Sequence, residues 1–348
     1  METISKSSSW YNAIFHDIKV TYTTRDNRRR VKIYTGITYI REKSCRYSFG
    51  TVGNLARNSV LSFGMDGEYT FSETFSVTEE IRDSYNRIGF IIIRNFLDKE
   101  ELALIKKALE ESDSITKHAY ELSDGVDRRS KMVLWRHPGN DITGIMARSE
   151  KLAGSIEKLL GHGEIYHWGS KLMMKEAKTG GRHLWHQDYG YWYQNGCLFP
   201  DHLTTAFIAY DRCNKENGCL QILKGSHKAG RIEHTFVGGQ TGADVTRVEE
   251  LMKVCPLQYV ELQPGDALIF HSNLIHRSDK NDSEQRRWAF LISYNTKANS
   301  PVISTFAPAY VPLNKVPTSA IKSCSNFTDM TGKAFLDPKD DITVKADA

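Results

Sequence analysis

Residues 184–193 read LWHQDYGYWY, an aromatic composition that suits a β-strand lining a cavity. In an extended strand, residues i and i+2 point to the same face. His186 and Asp188 can therefore present an imidazole nitrogen and a carboxylate oxygen to one ion, which makes half of a metal site. From residue 164 onward, short apolar runs alternate with Gly, Pro and Asn turns, as is typical of a jelly-roll barrel.

A second histidine and an arginine complete this pattern. His276 lies 90 positions after His186 and follows PGDALIFH (264–271), which indicates a tight turn and a buried strand. Two histidines and one carboxylate form the facial set that holds ferrous iron and leaves three positions open. Arg287 has a planar guanidinium, which can bind a carboxylate through two parallel hydrogen bonds. The pattern predicts an oxygenase that uses Fe(II), 2-oxoglutarate and O2.

Other histidines fit a metal site less well. His162 and Glu164 have the same spacing as the first ligand pair, but the glycines beside His162 indicate a turn rather than a strand. His183 and His271 lie three and five positions before a predicted ligand, so strand alternation would place each on the opposite face. We expect none of them to bind the metal.

Four segments resemble the phytanoyl-CoA dioxygenase family of Fe(II)/2-oxoglutarate-dependent oxygenases, in order and at about the family's spacing, across residues 76–312. They are HQDYGYWY (186–193), NGCLQILKGSHK (217–228), PGDALIFHSNLIHRS (264–278) and RRWAFLISY (286–294). The resemblance implies a mainly β fold with flanking helices around a double-stranded β-helix, the cupin-like jelly roll. It also implies a structural hydrogen bond for His227.

The resemblance further implies roles for seven residues: iron ligands in His186, Asp188 and His276, anchors of the far carboxylate of 2-oxoglutarate in Arg287 and Ser278, and other cosubstrate contacts in Lys171 and Phe207. Related halogenases carry a small residue in place of the carboxylate ligand. The presence of Asp188 therefore favours hydroxylation, desaturation or oxidative cyclisation of a small metabolite. A kainoid-synthase-like cyclase of specialised metabolism is one form of this hypothesis.

Three alternatives stay open. An acyl-CoA or lipid hydroxylase of the same family is one, although no dense lysine cluster indicates a CoA ester. A catalytically silent jelly roll that binds metal is the second. A zinc hydrolase on a cupin-like barrel is the third, and it would not need Arg287 or Ser278.

Loops at a barrel mouth commonly carry specificity while the barrel carries the metal. The residues that we expect to contact the substrate are Trp135, Arg136, Tyr189, Tyr191, Trp192 and Arg231. Two basic groups among them favour a small carboxylate-bearing substrate.

The composition excludes several other classes of protein. The chain has 348 residues with 40% hydrophobic and 25% charged content, ordinary values for a globular protein. The net charge of +4 forms no basic stripe, so we expect no nucleic-acid partner. No run of 18 apolar residues could span a membrane. Six cysteines without a dense framework favour free thiols inside the cell. Monomer and homodimer both remain open.

Residues 1–70 form a basic N-terminal extension. Between residues 1 and 61 there are eleven Lys or Arg and four Asp or Glu, which suits a transit peptide to an organelle. The stretch 31–40 alternates like a strand or hairpin, which favours a folded extension. Cytoplasm and organelle are both compatible with this composition.

Residues 71–348 are predicted to form the oxygenase domain, with a helical N-terminal part and a jelly roll from about 164 to 298. A capping box at Ser76–Glu79 predicts a helix through about Arg87 that ends at Gly89, and a strand follows at 90–95. Asp98 caps a second predicted helix. A polar stretch at 112–129 predicts a mobile loop, and 142–160 predicts one helix.

Overall fold

The computed structural model describes residues 66–237, 239–303, 307–337 and 339. Its strands are β1 (Glu68–Thr70), β2 (Phe90–Arg94), β3 (Tyr120–Ser123), β4 (Arg129–Arg136), β5 (Ile165–Lys175), β6 (His183–His186), β7 (Leu203–Ala209), β8 (Leu220–Leu223), β9 (His234–Val237), β10 (Gln240–Ala243), β11 (Leu257–Val260), β12 (Ala267–His271), β13 (His276–Ser278), β14 (Arg287–Thr296) and β15 (Ala334–Phe335). Its helices are α1 (Glu79–Ile88), α2 (Lys99–Leu109), α3 (Ile142–Arg148), α4 (Ser155–Leu160), α5 (Asp188–Trp192) and α6 (Val245–Met252). None of these helices has the length and apolarity needed to cross a membrane.

Two β-sheets make up the body of the domain. The larger follows the order β1-β2-β12-β7-β14-β5-β4-β15, with β3 also paired to β4, and the smaller follows β11-β8-β13-β6. Phe207 and Phe270 of the larger sheet share one apolar cluster with Leu220 and Ile222 of the smaller, so the sheets enclose a common core. This architecture confirms the predicted mainly β fold with a double-stranded β-helix. A third sheet pairs β9 with β10.

Strand alternation gives the larger sheet two apolar faces. Along β12, Leu268 and Phe270 point into the core between the sheets, whereas Ala267 and Ile269 join a second cluster. That second cluster also contains residues from α1 to α4, because each helix turns an apolar stripe toward the sheet. The outer face of the larger sheet is thus covered by the helices, and the inner face is left for the site.

Both helices predicted near the N-terminal end are present, but the predicted capping box at Ser76–Glu79 is wrong, because the cap of α1 lies two residues later. Thr78 caps α1 by accepting a hydrogen bond from the Ile81 amide at 3.3 Å, and Gly89 ends that helix at φ 90°. Asp98 and Glu101 form a reciprocal capping box at the start of α2. Local side-chain chemistry thus predicted the end of α1 and the start of α2, but not the start of α1.

The region predicted as one helix over 142–160 is divided, so that prediction is wrong. Helix α3 stops at Ser149, whose backbone is extended and whose hydroxyl accepts from the Leu152 amide at 3.2 Å. A π-helical segment (Glu150–Gly154) and then α4 follow. The break has a tertiary cause, because Val316 exchanges backbone hydrogen bonds with Glu150 and Arg148 across it.

Two further predictions of secondary structure are corrected. The polar stretch 112–129 is not one loop, since it contains β3, which pairs antiparallel with β4. The stretch 184–193 is not one strand, since β6 ends at His186 and α5 begins at Asp188. The predicted extension over 1–70 lies outside the described residues except for 66–70, where β1 pairs parallel to β2.

A C-terminal segment closes over the junction of β4 and α3. β15 pairs with the end of β4, and Lys333 just before it forms an ion pair with Asp141 at 2.7 Å. Both side chains are inaccessible to solvent. Lys333 also donates to the Thr143 hydroxyl at 3.0 Å, while Asp141 caps α3. Burial lowers the pKa of Lys333, and the Asp141 carboxylate opposes that shift.

Replacing Lys333 with Met should lower the free energy of unfolding by about 3–5 kcal/mol, because Asp141 is left as a buried charge without its partner. Urea unfolding followed by circular dichroism measures the change. Lys253→Met is the control, since Lys253 and Glu250 form an exposed pair whose loss should cost about 0–1 kcal/mol. Equal losses in the two variants would contradict the assigned importance of the buried pair.

Candidate metal and cosubstrate site

His186, Asp188 and His276 come together between the two sheets. One potential ligand atom from each lies within 4.8 Å of the other two, and all three residues are buried. His186 and His276 are directly opposed on β6 and β13, and Asp188 turns back toward them from the first residue of α5. Asp188 Oδ1 is 4.0 Å from His186 Nε2 and 3.9 Å from His276 Nε2.

Each histidine of this triad is held in one tautomer. His186 Nδ1 lies 2.8 Å from the Leu184 carbonyl, and His276 Nδ1 lies 2.9 Å from the Leu274 carbonyl. A carbonyl only accepts, so each Nδ1 carries the proton and each Nε2 has a free lone pair. Burial holds the pKa of His186 well below its ordinary value and also lowers the pKa of His276. Neutral imidazoles are the form that binds a metal.

Gln187, between the two ligands, holds this segment in place. Its buried side chain donates to the carbonyls of Gly230 and Asn273, each at 2.8 Å, and accepts from the Ile232 amide at 2.7 Å. Its own amide donates to His234 Nε2 at 2.9 Å. These bonds fix the backbone on both sides of a turn that carries two ligands.

The close approach of His234 also requires Gly190. A Cβ at that position would lie 2.1–2.3 Å from three atoms of the His234 ring, so only glycine fits beneath it. The HQDYG run thus places two residues of the triad and leaves room for the His234 ring that holds their backbone.

A small cavity extends from the triad toward β14 and β5. Its wall includes Arg287, Ser278, Lys171 and Phe207, the four residues predicted to contact the cosubstrate. Arg287 is 1% exposed, and its guanidinium carbon lies 5.8 Å from the centre of the Phe207 ring. The structure therefore brings this predicted set together beside the metal triad.

Arg287 fits a carboxylate ligand. Its Nε is buried without a hydrogen-bond partner, and no Asp or Glu within the described ranges forms an ion pair with it. The adjacent Arg286 faces the other way and pairs with Glu110 and Asp211, as strand alternation predicts. A buried guanidinium costs free energy unless an anion meets it, so this cavity suits the distal carboxylate of 2-oxoglutarate.

Lys175 is a second cation in this cavity that was not predicted. It is the register partner of Arg287 on β5, and its Nζ donates to Ser278 Oγ at 2.9 Å and to the Asp279 carbonyl. Burial holds the pKa of Lys175 well below its ordinary value, and Arg287 lowers it further. The signal was present in the sequence, because Lys171, Met173 and Lys175 share one face of a strand and all line the cavity.

A larger cavity opens on the other side of the triad. Four of the six predicted substrate contacts line it, namely Trp135, Arg136, Tyr191 and Trp192. Trp168 and Asn195 also line it and were not predicted. The two cavities share Lys171, His183 and the first two triad ligands, so they meet at the triad.

The other two predicted contacts lie outside both cavities. Tyr189 is part of an apolar cluster, and its hydroxyl lies 3.0 and 2.8 Å from the carbonyls of Cys197 and Leu198. Arg231 pairs with Glu233 at 2.6 Å and lies over the Tyr193 ring at 4.5 Å. The structure thus gives both residues structural contacts.

The expectations for the remaining histidines have different outcomes. His183 was expected to face away from His186, but both line the two cavities, because a register shift between β6 and β13 interrupts the alternation. His271 lies away from the triad and contacts Asp201 at 2.9 Å. His227 makes the expected structural hydrogen bond, to the Asn86 carbonyl at 3.0 Å.

Comparisons with known proteins agree with this geometry. An L-proline trans-4-hydroxylase of Streptomyces griseoviridis is 29% identical over 255 residues, which cover 67% of this chain and 92% of that protein. An ectoine dioxygenase of Bordetella parapertussis is 23% identical over 249 residues, covering 67% and 80%.

The crystal structure of EctD from S. alaskensis with 2-oxoglutarate and 5-hydroxyectoine matches with a TM-score of 0.56 at 18% identity, covering 71% of this chain and 90% of that one. This likeness shows a shared fold. The family model of phytanoyl-CoA dioxygenase (PhyH) matches residues 85–289. The chain belongs to the phytanoyl-CoA dioxygenase family of Fe(II)/2-oxoglutarate-dependent oxygenases.

Proposed function

We propose that this chain is a dioxygenase that holds Fe(II) through His186, Asp188 and His276 and hydroxylates a small carboxylate-bearing metabolite with 2-oxoglutarate as cosubstrate. The observation that supports this most is the position of Arg287. A buried guanidinium without a carboxylate partner lines the same cavity as the triad. A zinc hydrolase or a silent jelly roll needs the metal ligands alone and gives no reason for such an arginine.

The residues of the smaller cavity have separate roles in holding the cosubstrate. Arg287 offers two parallel N–H donors to the distal carboxylate. Ser278 Oγ accepts from Lys175 Nζ at 2.9 Å, so the hydroxyl proton of Ser278 is available for the same carboxylate. An anion beside Lys175 favours its charged form, which burial alone disfavours. Phe207 and Leu220 close the cavity with apolar surface.

The bound iron and 2-oxoglutarate supply the oxidising chemistry, and the protein supplies position and exclusion of water. The two neutral imidazoles and the carboxylate would hold Fe(II), and a set of two histidines and one carboxylate leaves positions for other ligands. Lys171 lies where the two cavities meet, beside His183 and His186, and places positive charge next to the reacting centre. The larger cavity then holds the C–H bond to be oxidised.

The larger cavity suits a small molecule with a carboxylate. Its aromatic wall of Trp168, Tyr191 and Trp192 offers apolar contact, and Arg136 and Lys171 offer charged donors. The two relatives named above act, by their names, on L-proline and ectoine, which are small carboxylate-bearing molecules. An acyl-CoA is a less suitable substrate, because these are the only Lys and Arg side chains in the described wall of this cavity.

Hydroxylation is the proposed outcome, since the L-proline relative is named a hydroxylase. Desaturation and kainoid-synthase-like oxidative cyclisation are the alternatives. The product decides among the three, because hydroxylation adds one oxygen atom, whereas the other two remove two hydrogen atoms. Mass spectrometry separates the first from the others, and NMR then separates a new double bond from a new ring.

The purified protein should bind one Fe(II) per chain and release succinate from 2-oxoglutarate. His276→Ala should lose both properties, because one of three ligands is gone while the fold is retained. Metal analysis and a succinate assay measure them, with His271→Asn as the control outside the triad. Full iron occupancy and full turnover in His276→Ala would contradict the assigned ligand set.

Arg287→Ala should raise the KM for 2-oxoglutarate strongly and leave iron affinity nearly unchanged. The expected loss is about 2–5 kcal/mol, much of it the cost of a buried carboxylate without its partner. Steady-state kinetics at varied 2-oxoglutarate measure it. Arg286→Ala is the matched control, since its guanidinium pairs with acids outside the cavity. Equal effects of the two substitutions would contradict the assignment of Arg287.

A screen of small carboxylic and amino acids should find compounds that stimulate 2-oxoglutarate turnover. With the best of them, Arg136→Leu should raise the substrate KM about tenfold or more and change uncoupled turnover little, because a charged donor for binding is lost. Arg231→Leu serves as control, since Arg231 lies outside both cavities. Unchanged kinetics in Arg136→Leu would contradict a carboxylate contact at this residue.

A further inference from the structure

Thr205 gives the two oxygens of Asp188 different surroundings. Thr205 is buried on β7 of the larger sheet, and its hydroxyl donates to Asp188 Oδ2 at 2.7 Å. The other oxygen, Oδ1, is the one nearest the Nε2 atoms of the two triad histidines. One oxygen is thus held by the protein, and one is presented to the metal position.

The direction of the hydrogen bonds in this part of the site follows from the number of protons. Thr205 has one hydroxyl proton, which it donates to Asp188. Ser293 is the register partner of Thr205 on β14, and the two hydroxyl oxygens are 2.9 Å apart. Ser293 must therefore donate to Thr205. The result is a chain of two hydrogen bonds along the wall of the larger cavity, in which Ser293 donates to Thr205 and Thr205 donates to the Asp188 carboxylate.

We propose that Thr205 is a positioning residue that keeps Asp188 a ligand through one oxygen only. The proposal rests on the proposed function, because it requires a metal at the triad. With Oδ2 held by Thr205, the carboxylate fills one position on the ion. Without that bond the carboxylate is free to turn and present both oxygens, which fills a second position. That position is one of the three that the cosubstrate and dioxygen need.

The test uses Mn(II) in the full-length protein, so that binding is measured without turnover. Thr205→Val has nearly the same shape and lacks the hydroxyl, whereas Thr205→Ser keeps it. Thr205→Val should weaken Mn(II) binding by about 10- to 100-fold, the usual loss for a partner that orients a metal ligand. It should also weaken 2-oxoglutarate binding to the Mn(II)-loaded protein. Thr205→Ser should retain wild-type affinity for both. Isothermal titration calorimetry measures each affinity.

Thr204→Val is the matched control on the same strand. The Thr204 hydroxyl is also buried, but it accepts from Tyr85 at 2.9 Å and donates to the Phe270 carbonyl at 2.8 Å. Its loss should lower the melting temperature and leave both affinities unchanged. The proposal is overturned if Thr205→Val binds Mn(II) and 2-oxoglutarate like the wild type, if Thr205→Ser binds as weakly as Thr205→Val, or if Thr204→Val loses as much affinity. A wild-type protein that binds no Mn(II) overturns the proposed metal site itself.

Discussion

The site depends on one constraint, which is that polar groups between two packed sheets need hydrogen-bond partners. Gln187 meets it completely, with bonds from its side-chain oxygen, its side-chain nitrogen and its backbone amide. The Nδ1 atoms of His186 and His276 meet it through backbone carbonyls. The groups that the fold leaves unpaired are then informative. One of them is Arg287 Nε, and Arg287 lines the same cavity as His186, Asp188 and His276.

The two sheets contribute different residues to the site. The smaller sheet carries the two histidines on adjacent antiparallel strands, while the larger sheet carries Arg287 and Lys175 on another such pair. The two triad histidines and the cations Arg287 and Lys175 therefore come from opposite walls. A bound metal with its cosubstrate would connect the two walls across the core, so ligand binding and the packing of the sheets support each other.

Structural features that follow from short-range patterns, such as strand alternation and helix capping, could be predicted from the sequence. Strand alternation predicted the opposite directions of Arg286 and Arg287, and capping chemistry predicted the start of α2. His186 and Asp188 do come together as expected, but not by strand alternation, because Asp188 is the first residue of α5. The predictions failed where a distant segment decides the backbone. Val316 breaks the helix at Ser149, and a register shift turns His183 toward the cavities. Neither cause is visible in the residues that neighbour the affected position in the sequence. Lys175 was a different case, because the alternation that reveals it was visible.

The wall of the larger cavity is not built by the jelly roll alone. Pro308 and Leu336, which follow the last strand of the jelly roll in the chain, line it together with Leu134 and Arg136 of β4. β15 secures this segment against β4, directly before Leu336. Part of the wall of the larger cavity therefore comes from chain outside the strands that carry the triad histidines and Arg287. Changes in length or sequence after residue 300 would alter this part of the cavity wall and leave in place the strands that carry the triad histidines and Arg287.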